Sequence, residues 1–300
     1  MMKPKVSVVL PTYNEEDSVE TAVQSLLNQT YDNIEVLVVD DESTDNTQNI
    51  IRSIDDARVK LLVRDEGEKG LTPALNFGIE QSDGKYVARQ DADDKSHQNR
   101  IEKQVQLAED EDLDLVGTGS YNVDKSGSVI SQRSVPEDPD PTQFNSGSQF
   151  IHGSLLMSRE MLENIDGYDT VYETSEDVDL LYRAVNSGYE FENIDEPLYY
   201  FTVDENSKYR SDVRRSTLYG FYAVNRDRFS IGPREFADLS DNELPNYMTE
   251  EELAMFNREM AQEYLRFNRP KKARMYASKN PVSVVSIGIL LLSFAPHTIV

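Results

Sequence analysis

The first hundred residues switch repeatedly between two hydrophobic periods. "KVSVVLP" (Lys5–Pro11) is a continuous β-branched run, the pattern of a parallel strand buried on both faces. Val19, Ala22, Val23, Leu26 and Leu27 then recur at i, i+3, i+4, i+7 and i+8, which predicts an amphipathic helix. "IEVLVVD" (Ile34–Asp40) repeats the strand pattern, and Ser43 or Thr44 is placed to cap a helix carrying Ile50, Ile51 and Ile54. "VKLLV" (Val59–Val63) is a third strand. Thr72 before Pro73 reads as the N-cap and first residue of a helix running to about Ser82. "GKYVARQ" is a fourth strand, and the helix after it carries Ile101, Val105 and Ala108. Alternation of this kind implies right-handed crossovers and an α/β fold: a doubly wound, mostly parallel sheet with helices on both faces.

Beyond Asp112 the pattern loosens. "LDLVGTGSY" reads as a further strand, and the Pro/Asp-rich "SVPEDPDPTQ" marks a change of subregion near residue 140. "HGSLLMS" and "EPLYYFTV" are later strands, with a helix from about Asp177 to Gly188 between them. From Ser216 onward the chain reads as a helical extension.

Composition narrows the functions. Thirty basic against 55 acidic residues leave a net charge of −25, so nucleic acid is excluded as a partner for want of a basic face. The same acidity fits a salt-adapted protein, the alternative being an ordinary acidic cytosolic one. The absence of cysteine excludes disulfides, thiolate metal sites and a Cys nucleophile. "MMKPKVSVVLP" holds too short an apolar run for a signal peptide, which puts the start of the chain on the cytoplasmic side.

At the other end, Val282–Val300 is mostly apolar and long enough to span a membrane. Arg266, Arg269, Lys271, Lys272, Arg274 and Lys279 precede it, a basic cluster of the kind that marks the cytoplasmic flank of a membrane segment. The expectation is attachment at the cytoplasmic face of the membrane, as a span or a re-entrant hairpin. The alternative is a buried C-terminal helix whose basic neighbours pair with the acidic body.

Ligands of open α/β sheets bind outside the carboxyl ends of the strands. "PTYNEED", "DDESTDNT" and "RQDADDKS" follow the first, second and fourth strands and would converge on one edge. With acid at 55 of 300 positions, chance alone supplies roughly ten acid-x-acid triplets, so the DxD spacing by itself carries little. Position singles out Asp91 and Asp93: directly after a buried strand they suit Mg2+ or Mn2+, which takes one or two carboxylates plus substrate phosphates. No GxxxxGK[ST] or GxGxxG is present, so neither a P-loop NTPase nor a dinucleotide dehydrogenase is supported.

The stretch "VSVVLPTYNEEDSVETAVQSLLNQTYDNIEVLVVDDESTDNT" resembles the opening of the family 2 glycosyltransferases of GT-A fold, and "KGLTPALNFGI", "RQDADD" and "SEDVDLLYRA" are similar to its following blocks, in order. The likeness covers about residues 5–200. It implies an inverting, metal-dependent transferase taking a UDP- or GDP-sugar donor to a saccharide or lipid-linked acceptor. Pro11, Tyr13 and Glu15 would line the nucleotide pocket, Asp41 would read the base, and Asp40 would shape the turn. Asp93 would be the principal metal ligand, with Asp91 beside it facing the ribose or sugar, and Lys69 would lie near the donor. The resemblance places the general base on Asp177, with Glu176 as its rival; Asp179 and Arg183 read as a structural salt bridge. Asp94 and Arg100 match a segment after the DxD, where a structural role is one reading. His152 could face acceptor or diphosphate or merely pack, and Tyr199 and Tyr200 read as core. The chain has no tryptophan, hence no Q-x-x-R-W block of the processive synthases, which favours a single addition over polymerisation. A nucleotidyltransferase and a non-catalytic nucleotide-sugar-binding protein are the rival readings. The expected organisation is a glycosyltransferase domain over 1–215 (nucleotide-sugar half 1–112, acceptor half 113–215), a helical extension over 216–280 and the apolar segment 281–300.

Overall fold

Strands β1 (Val6–Thr12) and β2 (Ile34–Asp40) are buried at every residue, as their unbroken apolar runs require. The structure, a computed structural model, describes residues 3–141, 149–203, 213–266 and 269–279. The chain divides into two compact units, residues 1–204 and 205–300.

In the first unit β1 pairs in parallel with β2 and with β4 (Tyr86–Arg89), and β2 pairs in parallel with β3 (Val59–Val63). Helices α1 (Val19–Leu27), α2 (Thr47–Ser53) and α3 (Leu71–Glu80) are the crossovers. Val19, Ala22, Val23 and Leu26, the stripe read from helical spacing, are all buried in the main core cluster. On α3, Gly78 permits close docking, since a Cβ there would stand 2.4 Å from Val9 Cγ1.

Two start signals fall elsewhere than expected. Helix α2 begins after Asn46, because Ser43 Oγ accepts the Asn14 N–H and the Thr44 N–H donates to Asn14 Oδ1. Helix α3 begins at Leu71, with Gly70 at φ 126° in the cap position, so Thr72 and Pro73 lie within its first turn.

The second half of the unit turns the sheet from parallel to mixed. Helix α4 (Arg100–Glu111) leads to β6 (Leu115–Val123), β8 (Leu156–Ser158) runs antiparallel to both β4 and β6, and β9 (Phe191–Thr202) is parallel to β6. Two short strands escaped the sequence pattern: β5 (Lys95–Ser96), antiparallel to β9, and β7 (Val129–Arg133), antiparallel to β6. Among the described residues the order is β3-β2-β1-β4-β8-β6-β9-β5, with β7 alongside β6. Helices α5 (Arg159–Asn164) and α6 (Glu176–Asn186) complete the unit.

The second unit contains helices α7 (Val213–Asn225), α8 (Pro233–Ala237), α9 (Glu250–Arg266) and α10 (Pro270–Ala277). Phe221, Tyr222, Phe229, Phe236 and Tyr247 pack as an aromatic cluster, its closest ring centroids 4.6 Å apart. Part of the basic cluster is engaged within the unit: Lys279 Nζ lies 2.6 Å from Asp241, and Lys272 sits over the Tyr264 ring at 5.0 Å. Among the described residues no helix is long and apolar enough to cross a membrane, and the apolar segment Val282–Val300 lies outside them.

Candidate active site

The loops after β1 and β2 are stitched together by their own polar side chains. Asn14 takes a left-handed conformation (φ 56°). The Glu15 N–H donates to Thr47 Oγ1 at 2.8 Å, and the Glu16 N–H donates to Asp45 at 3.1 Å. Pro11 is buried in β1 opposite Val39, beneath this loop, whereas Tyr13 is 56% exposed on top of it. Asp40 accepts hydrogen bonds from the Ser43 N–H (3.0 Å) and Gln48 Nε2 (2.6 Å), the geometry of a turn former. Asp41 is 8% exposed; Arg64 Nη1 reaches one of its oxygens at 2.5 Å and the Gly70 N–H the other at 2.8 Å. Lys69 is exposed and ion-paired with Glu42.

The turn after β4 carries the densest charge. Buried Arg89 grips Asp91 with both terminal nitrogens, at 2.7 and 2.8 Å. Asp93 stands at the rim, where the protein crowding it, then Asp91 and Glu15, push its carboxyl up to about 7. Burial, then the Asp45 and Asp91 charges, also raises Glu15, against a hydrogen bond from Ser18 Oγ at 2.6 Å. Glu15, Asp91 and Asp93, from two different loops, therefore repel one another, and a divalent cation would relieve that repulsion. Among the described residues no three acids or histidines form a ready-made cage. This donor set fits a hard cation that takes one or two carboxylates and completes its shell with substrate oxygens. Asp94 is buried: one oxygen accepts the Thr202 N–H at 2.6 Å, and burial, then Asp91 and Asp93, raises its carboxyl well above the usual carboxylate range.

The first turn of α6 is entered through Ser175 in left-handed conformation (φ 62°), with Glu176, Asp177 and Asp179 in that turn. A helix N-terminus favours negative charge. Burial raises Asp177; the Val178 N–H, which donates to its Oδ1 at 2.9 Å, and the charges of Arg89 and Arg133 oppose that rise. Glu176 lies 3.6 Å from His152 Nδ1, and His152 Nε2 lies 2.8 Å from the Tyr168 hydroxyl. Burial, then the Arg89 charge, holds His152 well below its ordinary pKa, so it is neutral near pH 7. Asp179 and Arg183 form a salt bridge at 2.7 Å, and Arg183 also binds the carbonyls of Ile165 and Gly167.

Arg89 links the two halves. It is ion-paired with Asp91 and acts electrostatically on Asp177, His152 and Tyr168. Sequence reading gave neither Arg89 nor Tyr168 a role. The signal for Arg89 was present: a charged residue ending a buried strand two positions before the DxD.

Residues 7–166 match the family model described as "Glycosyl transferase family 2". EpsE of Bacillus subtilis is 35% identical over 210 residues, 68% of this chain and 75% of its own length. WfaP of Escherichia coli, a UDP-Glc:alpha-D-GlcNAc-diphosphoundecaprenol beta-1,3-glucosyltransferase, is 27% identical over 219 residues, covering 71% of this chain and 84% of that one. The fold superposes on S. aureus TarS in complex with UDP-GlcNAc with a TM-score of 0.62 at 17% identity, covering 97% of this chain and 89% of that one. It also superposes on the mannosyltransferase PcManGT from Pyrobaculum calidifontis, in complex with GDP-Man and Mn2+, with a TM-score of 0.58 at 21% identity, covering 97% and 80%.

Proposed function

The chain belongs to glycosyl transferase family 2 and has the GT-A fold, and from that premise we propose that it transfers a single sugar, with inversion, from a nucleoside-diphosphate sugar to an acceptor. The observation that carries the reading is Arg89: this buried cation is ion-paired with Asp91 of the DxD turn, and its charge also acts on Asp177 of α6. Two carboxylate motifs distant in sequence thus answer to one charge, as a site handling a leaving group and an acceptor together requires.

In this reading the nucleotide lies over the loops after β1 and β2, against Tyr13, Glu15 and Asp41, with Pro11 beneath and Lys69 at its edge. Residues 1–112 form the nucleotide-sugar half and 113–215 the acceptor half. Mg2+ or Mn2+ would be held by Asp93 with Asp91 beside it, and would neutralise charge on the departing diphosphate; the Mn2+ complex of PcManGT supports this choice. Asp91, fixed by Arg89, faces the ribose or sugar. Asp177 takes the proton of the acceptor hydroxyl as that oxygen attacks the anomeric carbon. Burial raises its carboxyl, which favours uptake of a proton, while the Val178 N–H and Arg89 limit that rise. Neutral His152 and Glu176 border the acceptor side.

WfaP's action on GlcNAc-diphosphoundecaprenol supports a lipid-linked saccharide as acceptor, which would suit assembly of a surface glycan or of a glycan for protein N-glycosylation. The enzyme would then work at the cytoplasmic face of the membrane, a placement that the late basic cluster and the apolar sequence of Val282–Val300 would suit. Donor turnover tests the reading. Nucleoside diphosphate is expected to be released from a UDP- or GDP-sugar only with Mn2+ or Mg2+, and Asp177→Asn is expected to lower the rate by roughly 100-fold or more. Pyrophosphate release from a nucleoside triphosphate would overturn it in favour of nucleotidyl transfer.

A further inference from the structure

The turn that carries Asp91, Asp93 and Asp94 leaves a strand of four residues and forms no helix of its own. Its geometry is fixed from β9, a hundred residues later. The Asp91 N–H donates to the Tyr199 hydroxyl at 3.1 Å, Thr202 Oγ1 donates to the Asp93 carbonyl at 2.6 Å, and the Thr202 N–H donates to Asp94 Oδ1 at 2.6 Å. Immediately beyond, Lys95 and Ser96 pair with Tyr200 and Tyr199 in the ladder itself.

Tyr199 cannot drift. It is fully buried, and the Arg100 guanidinium lies 5.5 Å from its ring centroid. Arg100 is anchored in turn on the carbonyls of Arg89 (3.0 Å) and Gly153 (3.3 Å). Gly153 presses so closely that a Cβ there would stand 2.4 Å from the Tyr199 hydroxyl and 2.9 Å from Asp91 Oδ2. The Tyr199 hydroxyl is thereby held beside the turn, where it accepts the Asp91 N–H.

We propose that Tyr199 and Thr202 are positioning residues: β9 clamps the DxD turn so that Asp91 and Asp93 meet a metal-bound nucleoside diphosphate in one fixed arrangement. The inference rests on the proposed donor site. Carboxylates misplaced by a fraction of an ångström lose most of their value to a bound ion or a transition state.

Two near-isosteric substitutions isolate the clamp. Tyr199→Phe keeps the ring and removes the acceptor of the Asp91 N–H. Thr202→Val keeps the shape and the backbone bond to Asp94 and removes the bond to the Asp93 carbonyl. Thr202→Ser restores that bond, and Tyr200→Phe, one residue along the strand, is the control. Binding of Mn2+ in the presence of UDP or GDP is followed by electron paramagnetic resonance at high ionic strength, alongside donor turnover and thermal melting. Tyr199→Phe and Thr202→Val are expected to weaken Mn2+ binding by roughly fivefold or more and to lower kcat/KM by roughly tenfold, with part of the lost turnover returning at raised Mn2+. Thr202→Ser and Tyr200→Phe stay within about twofold of the parent. Folded Tyr199→Phe and Thr202→Val proteins with parental Mn2+ binding would overturn the clamp. So would a loss that Thr202→Ser fails to rescue. Because Mn2+ binding is read without turnover, a parent that binds Mn2+ with nucleotide yet turns over no nucleotide sugar would sink the transferase reading alone.

Discussion

At the scale of single residues, the proposed chemistry rests on a few carboxylates placed where charge is costly, in a chain with acid nearly everywhere. Asp91 and Asp93 could be singled out as candidates because they follow the end of a buried strand, and Asp177 only through the family resemblance. Arg89 carried a signal too, a charge at the end of a buried strand, but its grip on Asp91 and its effect on Asp177 emerge only from the fold. Asp93→Ala is expected to cut turnover by roughly 100-fold or more, while Asp110→Ala, in the exposed last turns of α4, leaves it within about twofold. Equal losses in the two variants would refute the site. Gly153→Ala tests packing under the same turn. Its methyl would meet the Tyr199 hydroxyl at 2.4 Å, inside any normal contact. We expect a destabilisation of about 1–3 kcal/mol in a denaturant melt, together with reduced turnover.

At the scale of elements, legibility followed burial. Strands β1 and β2 read clearly because both faces are covered, so every side chain is apolar or buried. Strand β7 did not, because it is exposed along nearly its whole length and shows no alternation, and β5 exists only because β9 lies beside it. The helix caps failed for a related reason: Ser43 and Thr44 have the right chemistry, but Asn14 competes for them across the loop. One exception inside β2 yields a prediction. Glu35 is 3% exposed at the second position of that apolar strand. It accepts hydrogen bonds from Ser7 Oγ at 2.6 Å and Lys60 Nζ at 2.7 Å, and Lys5 Nζ lies 3.1 Å away. Burial alone would raise its pKa, but bonds from Asp83, Lys60, Ser7 and Lys5 outweigh burial and hold it well below the ordinary 4.5. A carboxyl depressed on folding stabilises the native state fully above its unfolded pKa, and that contribution drains away as pH falls below it. Glu35→Gln is therefore expected to cost about 1–3 kcal/mol at pH 7, with parent and variant melting curves converging as the pH drops below about 4. A gap independent of pH would show that Glu35 acts through packing alone.

At the scale of the whole molecule, 55 acids against 30 bases create a self-repulsion that no single ion pair offsets. The two compact units share this burden differently. In the first, acid is spread along the whole unit, and Glu15, Asp91 and Asp93 add to it at the proposed site. In the second, basic side chains late in the chain meet acids of the same unit, as Lys279 does with Asp241. Surface pairs of this kind are worth little individually, so they leave the net charge of −25 uncompensated. Unfolding moves like charges apart, and the repulsion therefore acts against the native state unless ions screen it. Screening shortens from about 10 Å at 0.1 M to about 3 Å at 1 M salt, so most of the relief should arrive within that range. The thermal midpoint is accordingly expected to rise steeply between about 0.1 M and about 1 M KCl and to flatten beyond it. A midpoint indifferent to KCl would show that the acidic surface is ordinary solvation and not adaptation to salt. The same titration should leave the Glu35 effect largely intact, because a buried ion pair is screened far less than the surface around it.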